Sequence, residues 1–152
     1  MALVAHWPLN GNTDDISGNE HHATATSITY QNGKIGQAPY FDGTTTPYIS
    51  LPTSSIQNLQ DFTISFWIYS LGFSDRYMLS VENTDRANYF LIGAEATTRI
   101  YLPTGSYTFI VPMVINKWYH YTVMRRDDQL SIYLDGVHID TKLCVTDTLT
   151  AN

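Results

Sequence analysis

Apolar and polar residues alternate at period two along most of the chain. The segment DFTISFWIYS sets Phe62, Ile64, Phe66 and Ile68 on one face and Thr63, Ser65, Trp67 and Tyr69 on the other, which predicts a strand with one buried side. Shorter runs of the same kind follow: RYMLSVEN, ANYFLIGAE, TRIYLPTG and YTFIVPM, each bounded by turn residues. Beyond them, WYHYTVMRRDDQLSIYLDGVHIDTKLCV divides into three strands at Asp127-Asp128 and Asp135-Gly136. Asp-Gly is a strong hairpin signal, because both turn positions need positive φ. No stripe at the helical period appears, and TSSIQNLQ at 53–60 is long enough for a turn or two of helix only. Many short strands with turn signals every ten or so residues predict an antiparallel sandwich or jelly roll, not a βαβ fold. No linker, low-complexity tract or internal repeat breaks the pattern, so residues 1–152 read as one all-β domain.

Composition agrees. The chain is 43% hydrophobic and 13% aromatic but only 14% charged, and its polar positions are filled by Thr, Ser, Asn and Tyr. β-Branched and aromatic side chains fit a pleated, half-buried surface. At 152 residues a single domain buries roughly 70% of its unfolded surface, enough for one core. A net charge of −6 leaves no basic face for nucleic acid. No stretch is long and apolar enough to predict a membrane-spanning helix. The opening MALVAHWPLN has no basic region, long apolar run or small-residue cleavage site, so it does not read as a signal peptide. Cys144 has no second Cys to pair with and reads as a small core residue.

Seven stretches occur in a set order: Trp7 to Gly11, Asp15 to Asn19, Phe41 to Gly43, Tyr48 to Pro52, Phe62 to Trp67, Trp118 to His120 and Tyr133 to Gly136. Taken together they resemble the laminin G-like branch of the concanavalin A-like lectin/glucanase jelly rolls. The resemblance implies a two-sheet antiparallel jelly-roll sandwich whose first strand, LVAHW, ends in the Trp-Leu-Asn-Gly turn. It also implies closing strands of the Leu-Tyr-Ile-Gly and Ile-Asp-Asp-Val types, which this chain lacks because it ends at CVTDTLTAN. Without them the backbone of LVAHW is expected to form an open sheet edge. Such an edge pairs either with further sequence of the same polypeptide or with a protein partner by β-augmentation, in an oligomer or larger assembly.

The resemblance further implies a calcium site in the opening loop, since calcium takes six to eight oxygen ligands. Asp15 is the first candidate, with Asp14 and Asn19 as further oxygen sources and Gly18 allowing a sharp turn. The structural alternative is a turn without an ion, because Asp, Ser, Gly and Asn side chains also bond to nearby backbone. His21 and His22 are adjacent, and neighbours in an extended segment point opposite ways, so they read as structural rather than as a shared metal site. His120 reads as a framework residue.

Hydrolysis finds no support. Glycosidases use two carboxylates set ~5–9 Å apart, yet Glu20, Glu82 and Glu95 each lack a carboxylate two residues away, and Asp140 is not spaced from Asp135 or Asp147 to share a strand face. Asp127-Asp128 reads as a solvated hairpin tip. No Gly-x-Ser-x-Gly elbow occurs. A non-catalytic interaction module is therefore expected. One form is a virion-type appendage, a phage decoration or tail-fibre domain, or a cell-surface domain, serving assembly and adhesion to glycans. The other is a secreted, extracellular calcium-dependent carbohydrate-binding module attached to a polysaccharide-degrading enzyme. Trp67, Tyr69, Tyr89, Tyr101 and Tyr107 are aromatics that can face outward to stack on sugars, and the sequence selects none of them.

Overall fold

The computed structural model describes residues 2–44, 46–56, 59–72, 77–82, 89–93, 97–102 and 105–144; for residues 77, 81, 82 and 89–93 the description is of the backbone alone. The chain divides into two units, Met1–Ile56 and Gln57–Asn152.

In the first unit, β1 (Thr24–Thr26) pairs antiparallel with β4 (Tyr48–Ser50), and β2 (Thr29–Asn32) forms a hairpin with β3 (Gln37–Tyr40). A 3-10 turn follows at Thr53–Ser55, inside the 53–60 segment where a turn or two of helix is expected. The expected opening strand is absent: none is formed among residues 2–23. Its backbone is bonded by side chains instead. Asn19 Nδ2 donates to the carbonyls of Leu3 (3.0 Å) and Val4 (2.8 Å), and the His6 amide donates to Asp15 (2.8 Å). One flank of LVAHW is thereby engaged at these groups by the loop that follows it.

The second unit holds the strands that alternation predicts: β5 (Phe62–Tyr69), β6 (Tyr77–Glu82), β7 (Tyr89–Gly93), β8 (Thr97–Leu102), β9 (Gly105–Ile110), β10 (Trp118–Arg126), β11 (Gln129–Leu134) and β12 (Val137–Leu143). They make two four-stranded antiparallel sheets, ordered β12-β11-β10-β5 and β6-β7-β8-β9. Asp135 (φ 52°) and Gly136 (φ 80°) turn the β11–β12 hairpin with the positive φ that Asp-Gly supplies.

The core lies between these two sheets. Register puts Tyr121, Val123, Leu130, Ile132 and Leu134 on the inner face of one, and Ile100, Leu102 and Phe109 on the inner face of the other, all buried. The Tyr121 hydroxyl donates to Thr98 Oγ1 across the core (3.1 Å, buried), while burial pushes the Tyr121 hydroxyl pKa well above its usual value. Cys144 is buried, as expected of a small core residue. At the sheet edge β12 turns a charged pair to the inner register, with Lys142 Nζ 2.7 Å from Asp140 Oδ2 and 5.8 Å from the Phe109 ring centroid. Charge on the inner side of an edge strand discourages edge-to-edge pairing. Among the described residues no helix is long and apolar enough to cross a membrane.

Candidate functional site

The opening loop is organised by one carboxylate. Asp15 is buried, and its Oδ1 accepts the amides of His6 (2.8 Å) and Ser17 (2.9 Å). Its Oδ2 accepts the Ser17 hydroxyl (2.8 Å) and the His21 amide (3.0 Å). A carboxylate offers about four lone-pair directions, and here four protein donors meet them. Burial alone would raise the Asp15 pKa, but these four hydrogen bonds outweigh it and hold the pKa far below the usual carboxylate range.

The other two calcium candidates have partners of their own. Asn19 directs its amide nitrogen at the Leu3 and Val4 carbonyls, and exposed Asp14 lies 3.9 Å from His22 Nδ1. Four protein donors surround the Asp15 carboxylate, the bonding that a side-chain-to-backbone turn uses. Among the described residues no three His, Cys, Asp or Glu side chains are grouped to hold a metal. The two histidines point to separate partners, as adjacency predicts. His21 Nδ1 lies 3.1 Å from Ser54 Oγ, whereas His22 Nδ1 accepts the Asp15 amide (3.1 Å).

Trp7 Nε1 donates to the His21 carbonyl (2.7 Å), and Thr13 and Ala23 exchange two bonds, closing the loop as a turn.

A different grouping lies on the outer face of the β12-β11-β10-β5 sheet. The β5–β10 register places His120 opposite Trp67 and Trp118 opposite Tyr69. The Trp67 and His120 ring centroids are 5.1 Å apart with planes tilted by 52°, and those of Tyr69 and Trp118 are 5.4 Å apart with a tilt of 49°. Trp67 is 42% and Tyr69 41% exposed, so this cluster is open to solvent. Backbone bonds fix it from both ends. The Asn116 amide donates to the Ser70 carbonyl (2.8 Å), closing the connection beside Tyr69 and Trp118. Asp135 Oδ1 accepts the His120 amide (2.8 Å), and the Asp135 amide donates back to the His120 carbonyl (2.8 Å).

Further across the same face, the Tyr133 and His138 rings meet edge-on at 5.3 Å. A hydroxyl chain borders them: Ser131 Oγ to Thr141 Oγ1 (2.7 Å), and Thr141 Oγ1 to His138 Nε2 (2.8 Å). Exposed rings beside hydroxyls and imidazoles can stack on the C–H faces of a sugar and reach its hydroxyl groups.

The five aromatics singled out from sequence separate here. Trp67 and Tyr69 share the cluster; Tyr101 is on the outer register of the other sheet; Tyr107 falls on the inner register opposite Ile100; the Tyr89 side chain lies outside the described residues, as do Glu95 and Asp147. Trp118 and His120 were missed. Their Trp-x-His spacing already put both on one strand face, but only the cross-strand register shows which rings they meet.

A laminin G-like family model, described as the concanavalin A-like lectin/glucanases superfamily, matches residues 41–152. The chain belongs to this family. The laminin G-like resemblance and the all-β jelly-roll sandwich both hold.

Among solved structures, the chain is similar to domain 4 of AbnA, a GH43 extracellular arabinanase from Geobacillus stearothermophilus, solved in complex with arabinotriose. The TM-score is 0.75 at 18% identity, over 98% of this chain and 78% of that one. An S-layer domain-containing protein from Clostridium thermocellum aligns with TM-score 0.61 at 20% identity, over 93% of this chain and 73% of that one. The carbohydrate-binding module CBM66 from Bacillus subtilis aligns with TM-score 0.50 at 19% identity, over 83% and 82%. At these identities the likeness establishes the fold. No curated protein sequence matches.

Proposed function

We propose that this laminin G-like chain is a non-catalytic carbohydrate-binding module acting outside the cell, as part of a polysaccharide-degrading or surface-attached protein. The observation that carries the reading is the solvent-open cluster of Trp67, Tyr69, Trp118 and His120 on one sheet face. Folds like this one occur in an arabinanase domain solved with arabinotriose, in a carbohydrate-binding module and in an S-layer domain-containing protein. They favour the module reading over a virion appendage. Fold alone does not fix function; the exposed rings supply the local chemistry.

Non-catalytic action is supported by how the nearby carboxylates are used. Asp135 and Asp61, the acidic residues bordering this face, each hold a backbone amide, of His120 and of Asp127 (2.8 Å each). The proposed binding does not draw on Asp15 as a calcium ligand, since its carboxylate accepts four protein donors.

Native gel electrophoresis through soluble arabinan, β-glucan and mannan tests the reading, with reducing-sugar release measured in parallel. Retardation by at least one polysaccharide with no sugar released is expected. Free migration through all of them, or release of sugar, would contradict it.

A further inference from the structure

The rings of the outer face come in two rows. Trp67 and His120 form one; Tyr69 and Trp118, two residues along each strand, form the next. Two residues of strand advance roughly 6.8 Å, so the rows are neighbouring steps along the strand direction, and a ligand chain lying along β5 meets them in succession. Within each row the planes are tilted by 52° and 49°. The two rings of a row are therefore not coplanar and do not form one flat plane for a crystalline surface.

Charge on this face is distributed unevenly. Among the described residues, Asp61 and Arg126 are the formally charged side chains on the outer register of β5 and β10 and the residue preceding β5. Each is six residues from the ring rows' nearer member, Trp67 or His120, which is roughly 20 Å of strand. Lys117, next to Trp118, turns its ammonium over the Tyr119 ring on the inner register (4.6 Å). Ser65, Thr122 and Tyr133, next to the rings, are uncharged, and one carboxylate borders them: Asp135, whose Oδ1 accepts the His120 amide. In a chain of net charge −6 the ring rows thus hold no Lys or Arg and have one bordering carboxylate.

Resting on the carbohydrate reading above, we infer that this face binds a neutral, single-chain glycan laid along β5 and β10, with one sugar residue in each ring row. An acidic polysaccharide finds no cation at the rows to pair with its carboxylates. A cationic one finds a single bordering carboxylate, Asp135, one of whose oxygens already holds the His120 amide. A crystalline polysaccharide, whose face is flat, cannot lie flat on both rings of a row at once.

The test is isothermal titration of the chain and its Trp67→Ala and Trp118→Ala variants with arabinan, β-glucan and mannan (neutral), polygalacturonic acid (acidic) and chitosan (cationic), with pull-down on crystalline cellulose. Mono-, di- and trisaccharides of the best neutral binder follow. Tyr101→Ala, on the other sheet, is the control, and thermal unfolding verifies that each variant is folded. Expected are binding to a neutral soluble glycan, a gain from mono- to disaccharide that levels off at the trisaccharide, and about tenfold or greater loss in both Trp variants.

Acidic, cationic or crystalline glycan bound in preference, with loss in the Trp variants, would overturn this inference and leave the module reading standing. Glycan binding that neither Trp variant changes would overturn the placement on this face. Absence of binding to every polysaccharide would overturn the module reading itself, and this inference with it. Should either Trp variant fail to fold, Trp67→Phe, which keeps a ring, is expected to weaken binding less than Tyr69→Ala, and the reverse order counts against the ring rows.

Discussion

Residues 2–56 and residues 59–144 of the same chain are stabilised by different physics. In the first region the buried side chains among the described residues are Ala23, Asp15 and Ser55. Order there comes from side chains bonded to backbone: Asp15 to three amides and a hydroxyl, Asn19 to two carbonyls, Asn10 to the Gln37 amide, Trp7 to the His21 carbonyl. In the second region, fully buried Ile100, Phe109, Tyr121, Val123, Leu130 and Ile132 fill the space between two sheets. One region is specified by directional polar contacts, the other by area removed from water. The exposed rings belong to the second, where a packed sheet fixes their positions and leaves Trp67 and Tyr69 partly open to solvent.

This contrast can be broken or sharpened by substitution. Ile132→Ala should have the largest effect, a loss of about 2–5 kcal/mol from transfer and cavity terms, read as a lowered denaturant midpoint. A loss well under that range would mean the inter-sheet core is loosely packed.

Asp15→Asn should come next. The amide nitrogen of Asn cannot accept the bonds that one carboxylate oxygen takes, so at least two donors lose their acceptor, and Tm should fall by several degrees. The pH dependence has a definite sign. Because hydrogen bonding holds the folded-state pKa of Asp15 below its unfolded value, its stabilisation is full above the unfolded carboxylate pKa, roughly 4, and is lost as pH falls toward the folded value. The Tm difference between wild type and variant should therefore shrink on acidification below about pH 4. A difference independent of pH would rule out the carboxylate as its source.

Gly36→Ala is expected to cost about 1–2 kcal/mol from its left-handed conformation, at φ 62°, and more from contact, since a Cβ there would lie 2.6 Å from Asn10 Oδ1. That oxygen is the acceptor of the Gln37 amide (2.8 Å), so the damage should fall on the polar region. Tyr121→Phe should cost about 1 kcal/mol, leaving Thr98 without its buried donor. Smallest of all, calcium addition or chelation should leave Tm unchanged. A rise with calcium would show that the opening loop takes an ion after all.

The two regions also differed in how far they could be read from sequence. Period-two alternation exposed β5 and β8 to β11 because each has one face in the core, and Asp135-Gly136 marked its hairpin through its φ requirement. No such alternation governs residues 2–23, where partners are side chains nine to sixteen residues away, as for His6 with Asp15 and Leu3 with Asn19. An opening strand was expected there and did not form. Asp15 stood out by residue type, but type does not distinguish a carboxylate facing a cation from one facing amides. Trp67 and Tyr69 were visible as outward residues of β5. Their ring partners on β10 were not, because register between β5 and β10, separated by more than forty residues of chain, is set by the whole sheet.

The most direct test of the account compares the two regions as binding sites. A soluble neutral glycan that retards the wild-type chain is titrated into Trp67→Ala and Asp15→Asn, each at a temperature where it is folded, with calcium and with chelator. The account predicts that Trp67→Ala loses about tenfold or more in affinity while Asp15→Asn and chelation leave affinity unchanged. Binding that survives Trp67→Ala but is abolished by Asp15→Asn or by chelation would contradict it, and would move the site to the opening loop.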